Sequence, residues 1–217
     1  MDNMTPSRIG RCVKELLLRL GLNLEPVYVP VATEVNARVN ECLDAVTEKV
    51  NTSGGTIEYG WNIWKAPLLT EAEFHAVWKS PAGTLIDVTP KEPPEERILF
   101  VPDGRNLWAD RKNVDNIRVN NTGSPIVDDF ISICEAMFGI RNKGDRSKTL
   151  HVVLEDEEAA LYKYLESIRA PTQIFALQGG HPGSPCYCGS GRPYYECHKE
   201  DLMSLFAHLR ELGAELA

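Results

Sequence analysis

Glu71–Pro90, EAEFHAVWKSPAGTLIDVTP, is the stretch whose reading decides the fold. Glu71, Glu73 and His75 alternate with Ala72, Phe74, Ala76 and Trp78, the period of two that sends successive side chains to opposite faces of a strand. Ser80-Pro81-Ala82-Gly83 supplies turn residues, and Leu85, Ile86 and Val88 resume an extended run, so the segment reads as a β-hairpin. One arm carries His75 and the other Asp87, placed to sit side by side. If Cys42, on a helix-like segment upstream, packs its sulfur against His75, the three form a nucleophile, a base and an orienting acid in chain order. The same residues also read as a core cysteine, a hydrogen-bonded strand histidine and an acceptor for the turn at Thr89-Pro90.

Working outward, Thr33 to Asn51 places Val35, Val39, Leu43, Val46 and Val50 at helical spacing, with Cys42 beside that stripe. Two caps compete. Thr33 starts a long helix with Cys42 in its middle, whereas Asn40 starts a shorter one with Cys42 in the first turn, where unpaired N–H groups favour a thiolate. Ser53-Gly54-Gly55 ends the helix, and Thr56 to Lys65 is a strand with Ile57, Tyr59, Trp61 and Ile63 on one face. Trp61 and Trp64 are either walls of a substrate groove or sheet aromatics. A helix followed by three strands predicts an α+β core with an antiparallel sheet.

On the N-terminal side, Thr5 to Leu22 carries Ile9, Val13, Leu16, Leu17 and Leu20 on one helical face, with Thr5 or Ser7 as cap and Gly21 as stop. Cys12 borders that face and reads as packing. Glu25 to Ala32 is a connector or edge strand. Downstream, Lys91 to Glu96 breaks the sheet, Arg97 to Pro102 is a further short strand, and Asn116 to Val119 reads as another. Ser124 caps a helix from Pro125 to Ile140, with Cys134 in its apolar stripe, and Glu155 to Arg169 is a second helix with acidic residues at its start.

The chain has 217 residues, 43% hydrophobic and 25% charged, enough for one full core and a small appended module. A formal net charge of −8 gives no general attraction to phosphate backbones, so nucleic acid is not the favoured partner. No run of eighteen apolar residues exists, and the charged N-terminal helix fits neither a signal peptide nor a membrane span. A cytoplasmic protein is expected. Three of the six cysteines crowd into one short segment with a histidine, which favours metal binding over a disulfide framework.

That segment follows a Gly/Pro-rich linker at 178–185 and divides the chain into a main domain, 1–177, and a module, 186–217. Cys186, Cys188, Cys197 and His198 offer three thiolates and an imidazole, a set that fills a tetrahedral zinc site. Gly189 and Gly191 let the chain turn sharply between them. His181, in the linker, is expected to be solvated. Asp201 to Ala217 is expected to form a final helix with Leu202, Leu205, Phe206, Leu209 and Leu212 on one side. The pattern Cys-x-Cys-Gly-Ser-Gly, an aromatic and Cys-His resembles the SEC-C motif, the zinc module of the bacterial preprotein translocase ATPase. The resemblance implies structural zinc held by Cys186, Cys188, Cys197 and His198, and a protein partner, since in that ATPase the module contacts an export chaperone.

A second resemblance rests on His75-Ala76-Val77-Trp78 and Leu85-Ile86-Asp87-Val88-Thr89-Pro90. These are similar to the histidine strand and the Asp-Pro-Thr-like ending of the transglutaminase-like superfamily, whose papain-like core runs helix, strand, strand, strand with Cys, His and Asp in that order. It implies a papain/transglutaminase-like core and catalytic roles for Cys42, His75 and Asp87. Asn40, Glu41 and Leu43 depart from the small residues usual around that family's cysteine. Two readings of different class follow. One is a thiol amidohydrolase or acyltransferase acting on protein or peptide, with the zinc module as recognition tail. The other is a non-catalytic adaptor that binds a protein partner through that module.

Overall fold

A computed structural model describes residues 4–105, 107, 112–149 and 151–211. The chain forms two compact units, one from residues 1–106 and 116–119, the other from 107–115 and 120–217.

The first unit is a helix-flanked antiparallel sheet. Its helices are α1 (Arg11–Leu20) and α2 (Cys42–Ser53), and its strands β1 (Val27–Pro30), β2 (Thr56–Lys65), β3 (Leu69–Lys79), β4 (Leu85–Ile86), β5 (Arg97–Pro102) and β6 (Ile117–Asn120), the last of which ends in the second unit. The order is β1-β5-β2-β3-β4, with β6 also on β3. β2 and β3 pair along their whole length, Thr56 opposite Lys79 through to Lys65 opposite Thr70. The His75 arm of the hairpin is therefore long and central, while the Asp87 arm pairs only Leu85 and Ile86.

Asp87 then leaves β3 for the opposite end of the sheet. Its N–H donates to Pro30 O at 2.9 Å, its carbonyl accepts from Ala32 N–H at 2.8 Å, and a parallel bridge joins Val31 to Asp87. These bonds curl the sheet so that β1 meets the end of β4. Val29, Val77, Ile98 and Phe100 pack on one face, while α2 covers the other with Ala45 and Val46 against Ala76 and Val88. Gly60, opposite His75 in the register, has no room for a side chain against β5: a Cβ there would lie 2.2 Å from Val101 O and 2.5 Å from Phe100 Cζ.

α1 begins at Arg11, not at Thr5 or Ser7. The preceding residues are bound to the sheet instead: Met4 pairs with Lys65, Thr5 N–H donates to Glu95 Oε1 and Tyr28 OH to Pro6 O. Gly21, at φ 67°, stops the helix as expected.

The second unit is helical, with α3 (Pro125–Arg141), α4 (Asp156–Leu177) and α5 (His198–Glu211). Ser124 caps α3 by accepting from Ile126 N–H, with Pro125 in the first turn. Ile133, Ala136, Met137 and Ile140 of α3 pack with Leu165 and Ile168 of α4 and Leu202 and Leu209 of α5. α4 runs past Arg169 and through Pro171, a residue that costs about 3 kcal/mol in a helix interior. The extra turns bury Thr172 and Phe175, and Phe175 packs against Tyr194, Cys186 and Cys197, which offsets that cost. α5 begins at His198, three residues earlier than its apolar pattern indicates, because Asp201 N–H bonds Cys197 O. Leu212 lies outside the described residues. Among the described residues no helix is long and apolar enough to cross a membrane.

Candidate functional site

The competition between caps around Cys42 is resolved by one left-handed residue. Asn40 has φ 67°, which asparagine tolerates better than most side chains, and a helix from Thr33 is broken there. Glu41 takes the N-cap position and Cys42 is the first residue of α2. Val35, which a long helix would have buried, is 97% exposed.

Cys42 thus stands in the first turn, where helix N–H groups have no internal partner. Cys42 packs with Ala76 and lines one cleft with His75. β4 covers β3 only at Trp78 and Lys79, so His75 and Ala76 lie beyond its reach. His75 Nε2 lies 3.0 Å from Asp87 Oδ2, and both residues are buried. With Nε2 engaged by the carboxylate, Nδ1 is the ring nitrogen left for another partner. Asp87 Oδ1 accepts from Thr89 N–H at 2.9 Å, which fixes the plane of the carboxylate. The three residues singled out in the sequence are brought together.

Burial raises the Cys42 thiol, but the hydrogen bond and charge of His75, the Ala76 N–H and the charge of Lys91 outweigh it, and the thiol titrates below its ordinary value. Burial pulls His75 down, yet its hydrogen bonds to Asp87 and Cys42 and the charge of Asp87 prevail and raise it to about 9. Burial also raises Asp87, and His75 and Lys91 together bring it below the usual carboxylate range. These shifts favour a thiolate beside an imidazolium, held by a carboxylate.

A cleft of about 110 Å³ opens on this group, lined by Asn40, Cys42, Trp64, Glu73, Thr89 and Lys91 among others. Trp64 Nε1 donates to Glu73 Oε2 at 2.9 Å, which holds the indole as part of the wall. Trp61 is elsewhere: its Nε1–H goes to Asp103 and its ring meets Phe74 edge-on. Thr89 Oγ1 is buried without a hydrogen-bond partner among the described residues. Lys91, legible in the sequence only as part of a sheet-breaking KEPPEE run, has its Nζ 2.6 Å from Asp87 Oδ2. Its position four residues after Asp87, across the Thr89-Pro90 turn, is the one signal that could have found it.

In the second unit, ligand atoms of Cys186, Cys188, Cys197 and His198 all lie within 4.8 Å of one another and form a cluster that could hold a metal ion. Gly189 and Gly191 have φ of 76° and 75° and turn the chain back, and Cys186 N–H donates to Arg192 O across the loop. Cys188 and Cys197 sulfurs are 3.6 Å apart, as are Cys197 Sγ and His198 Nδ1, while Cys186 Sγ is 3.1 Å from Nδ1. A tetrahedron with metal–sulfur bonds of about 2.3 Å and a metal–nitrogen bond of about 2.0 Å has edges of about 3.5–3.8 Å; the two 3.6 Å separations match it, and the 3.1 Å one is shorter. Arg192 Nη2 and Ser190 Oγ approach Cys197 Sγ at 3.4 and 3.6 Å and support its charge. His181, exposed, is not in the cluster.

Sequence reasoning missed what seats the cluster. Tyr194 is fully buried against Phe175, and its OH donates to Asp129 Oδ2 at 3.1 Å; Lys199 Nζ donates to Asp129 Oδ1. Asp129 stands on the α3 face next to Ile126 and Phe130, and an acidic residue within an apolar stripe is the signal that could have marked it.

Comparison with protein-family models, with curated proteins and with solved structures gives no match to this chain.

Proposed function

We propose that the protein is a thiol amidohydrolase or acyltransferase with a papain/transglutaminase-like core, acting on protein or peptide, in which Cys42 is the nucleophile. The observation that carries this reading is Cys42 at the first residue of a helix, on a cleft it shares with an imidazole whose Nε2 is 3.0 Å from a buried carboxylate. The Cys42 thiolate attacks an amide or ester carbonyl, and the oxyanion is received by N–H groups of the first turn of α2. The tetrahedral species collapses as the carbon–heteroatom bond breaks, and the leaving group takes the proton from His75. Water or an amine then attacks the thioester, gives a proton to His75 and releases the Cys42 sulfur. Asp87 keeps the imidazole oriented throughout.

The tail, in this reading, is a SEC-C-like zinc module. Three thiolates and an imidazole suit zinc, and four protein donors leave no open position, so its role is structural. Such a module offers a recognition surface for a protein partner or substrate. Thiolates that hold a metal require a reducing compartment, which agrees with a cytoplasmic location.

The test is acyl-enzyme formation. Full-length, zinc-loaded protein treated with an activated acetyl ester should release a burst of leaving group and carry an acetyl group on the Cys42 peptide. Cys42→Ala should abolish both. Acetylation absent from Cys42, or a burst that survives Cys42→Ala, contradicts the reading and favours the adaptor.

A further inference from the structure

We infer that Lys91 is a positioning residue that sets the charge of His75 and of Cys42 beside it, an inference that rests on the thiol reading above. Its ammonium lies 2.6 Å from Asp87 Oδ2 and 3.2 Å from His75 Nε2, and its side chain is only 6% exposed. Nε2 therefore has two suitors. When Nε2 carries the ring proton it donates to Asp87, and the lone pair on Nδ1 is free to accept the thiol proton. When the ammonium donates to Nε2, the ring proton moves to Nδ1, and a neutral imidazole in that form takes no proton from sulfur. The shorter contact to Asp87 holds the ammonium on the carboxylate and leaves Nε2–H for the same oxygen.

Lys91 acts on charge as well. A fixed cation this close opposes protonation of every neighbour, so it favours the Cys42 thiolate and limits the imidazolium of His75. The other ionisable groups facing His75 are Cys42 on α2, Asp87 after β4, Glu73 two residues away on β3, and Glu92 on the cleft rim. Glu73 is held by Trp64. Loss of the cation then shifts the formation of the thiolate and the deprotonation of His75 in the same direction, to higher pH.

The experiment compares wild type, Lys91→Met and Lys91→Arg in the full-length zinc-loaded protein. Iodoacetamide alkylation of the Cys42 peptide is followed from pH 5 to pH 10, and ¹⁵N NMR of His75 reads which ring nitrogen holds the proton. Lys91→Met should move both limbs of the rate profile, and the His75 titration, to higher pH by about 1 or more. Lys91→Arg, which keeps the charge, should stay close to wild type. If Lys91→Met folds poorly, Lys91→Gln fills the same space without the charge and should show the same upward movement. Limbs and ¹⁵N titration unmoved in the uncharged variants overturn the inference. A wild-type Cys42 without an acid-shifted limb overturns instead the thiol reading, and the His75 titration still reports on Lys91.

Discussion

At the start of α2 one cysteine meets one histidine, and the far nitrogen of that ring is held by a buried carboxylate; in the tail, three sulfurs and one ring nitrogen converge on a single point. The residue types are the same and the proposed chemistry is opposite. Around Cys42 the neighbours supply charge and hydrogen bonds but leave the sulfur facing a cleft, so its lone pairs remain free to react. Around Cys197 the neighbours are other ligands, and a metal there takes up the lone pairs that would otherwise react. The number of donors that converge on a sulfur, and not the presence of cysteine and histidine, separates a nucleophile from a ligand.

The largest expected effect separates the two sites through the metal. Chelation, or Cys197→Ser, should release the ion and unfold the Cys186–His198 loop, since structural zinc supplies about 10–16 kcal/mol in small modules of this kind. Metal content and calorimetry check this. Alkylation of Cys42 should be unchanged, and a parallel loss at Cys42 would break the comparison.

Asp129→Ala should cost the second unit about 1–3 kcal/mol, because it leaves the buried Tyr194 hydroxyl unpaired and frees Lys199. Chemical denaturation followed by metal release is the readout. Gly60→Ala should cost about 1–3 kcal/mol through overpacking against Val101 and Phe100, and should slow Cys42 alkylation by displacing β3 at His75 while leaving metal content intact. Ser124→Ala, which removes the cap of α3, should cost about 1 kcal/mol and leave both sites as they are.

The hairpin, the Ser124-Pro125 helix start and the metal cluster are legible because each is written in local pattern: alternation, cap chemistry and ligand spacing. The elements that depend on distant partners are not. Two caps compete around Cys42 on sequence alone, and only the left-handed Asn40 decides between them. Asp87 reads as part of a strand arm, but what fixes its backbone is a pair of bonds to Pro30 and Ala32, far away in the chain. Thr5 and Ser7 have the chemistry of caps, yet Met4 bridges to Lys65 and Thr5 N–H bonds Glu95, which holds their segment away from the helix. α4 continues through Pro171 because Phe175 has an aromatic site to fill, and local propensity carries no trace of that. Lys91 is hard to read for a related reason: only its place four residues after Asp87 hints at it, and its meaning comes from the two side chains it touches.

The measurement that tests the central claim most directly is the pH dependence of alkylation at every cysteine at once, read by peptide mass spectrometry on zinc-loaded wild type and His75→Ala. Cys42 should react fast well below the free-thiol value of about 8.5, because its thiolate is paired with an imidazolium that keeps its proton until about pH 9. In His75→Ala the Cys42 rate at pH 6 should fall at least about tenfold, since the hydrogen bond and charge of His75 that help hold the thiol below its ordinary value are gone. Cys186, Cys188 and Cys197 should stay protected in both proteins. A Cys42 that reacts slowly and indifferently to His75 would contradict the thiolate–imidazolium pair on which the proposed chemistry rests.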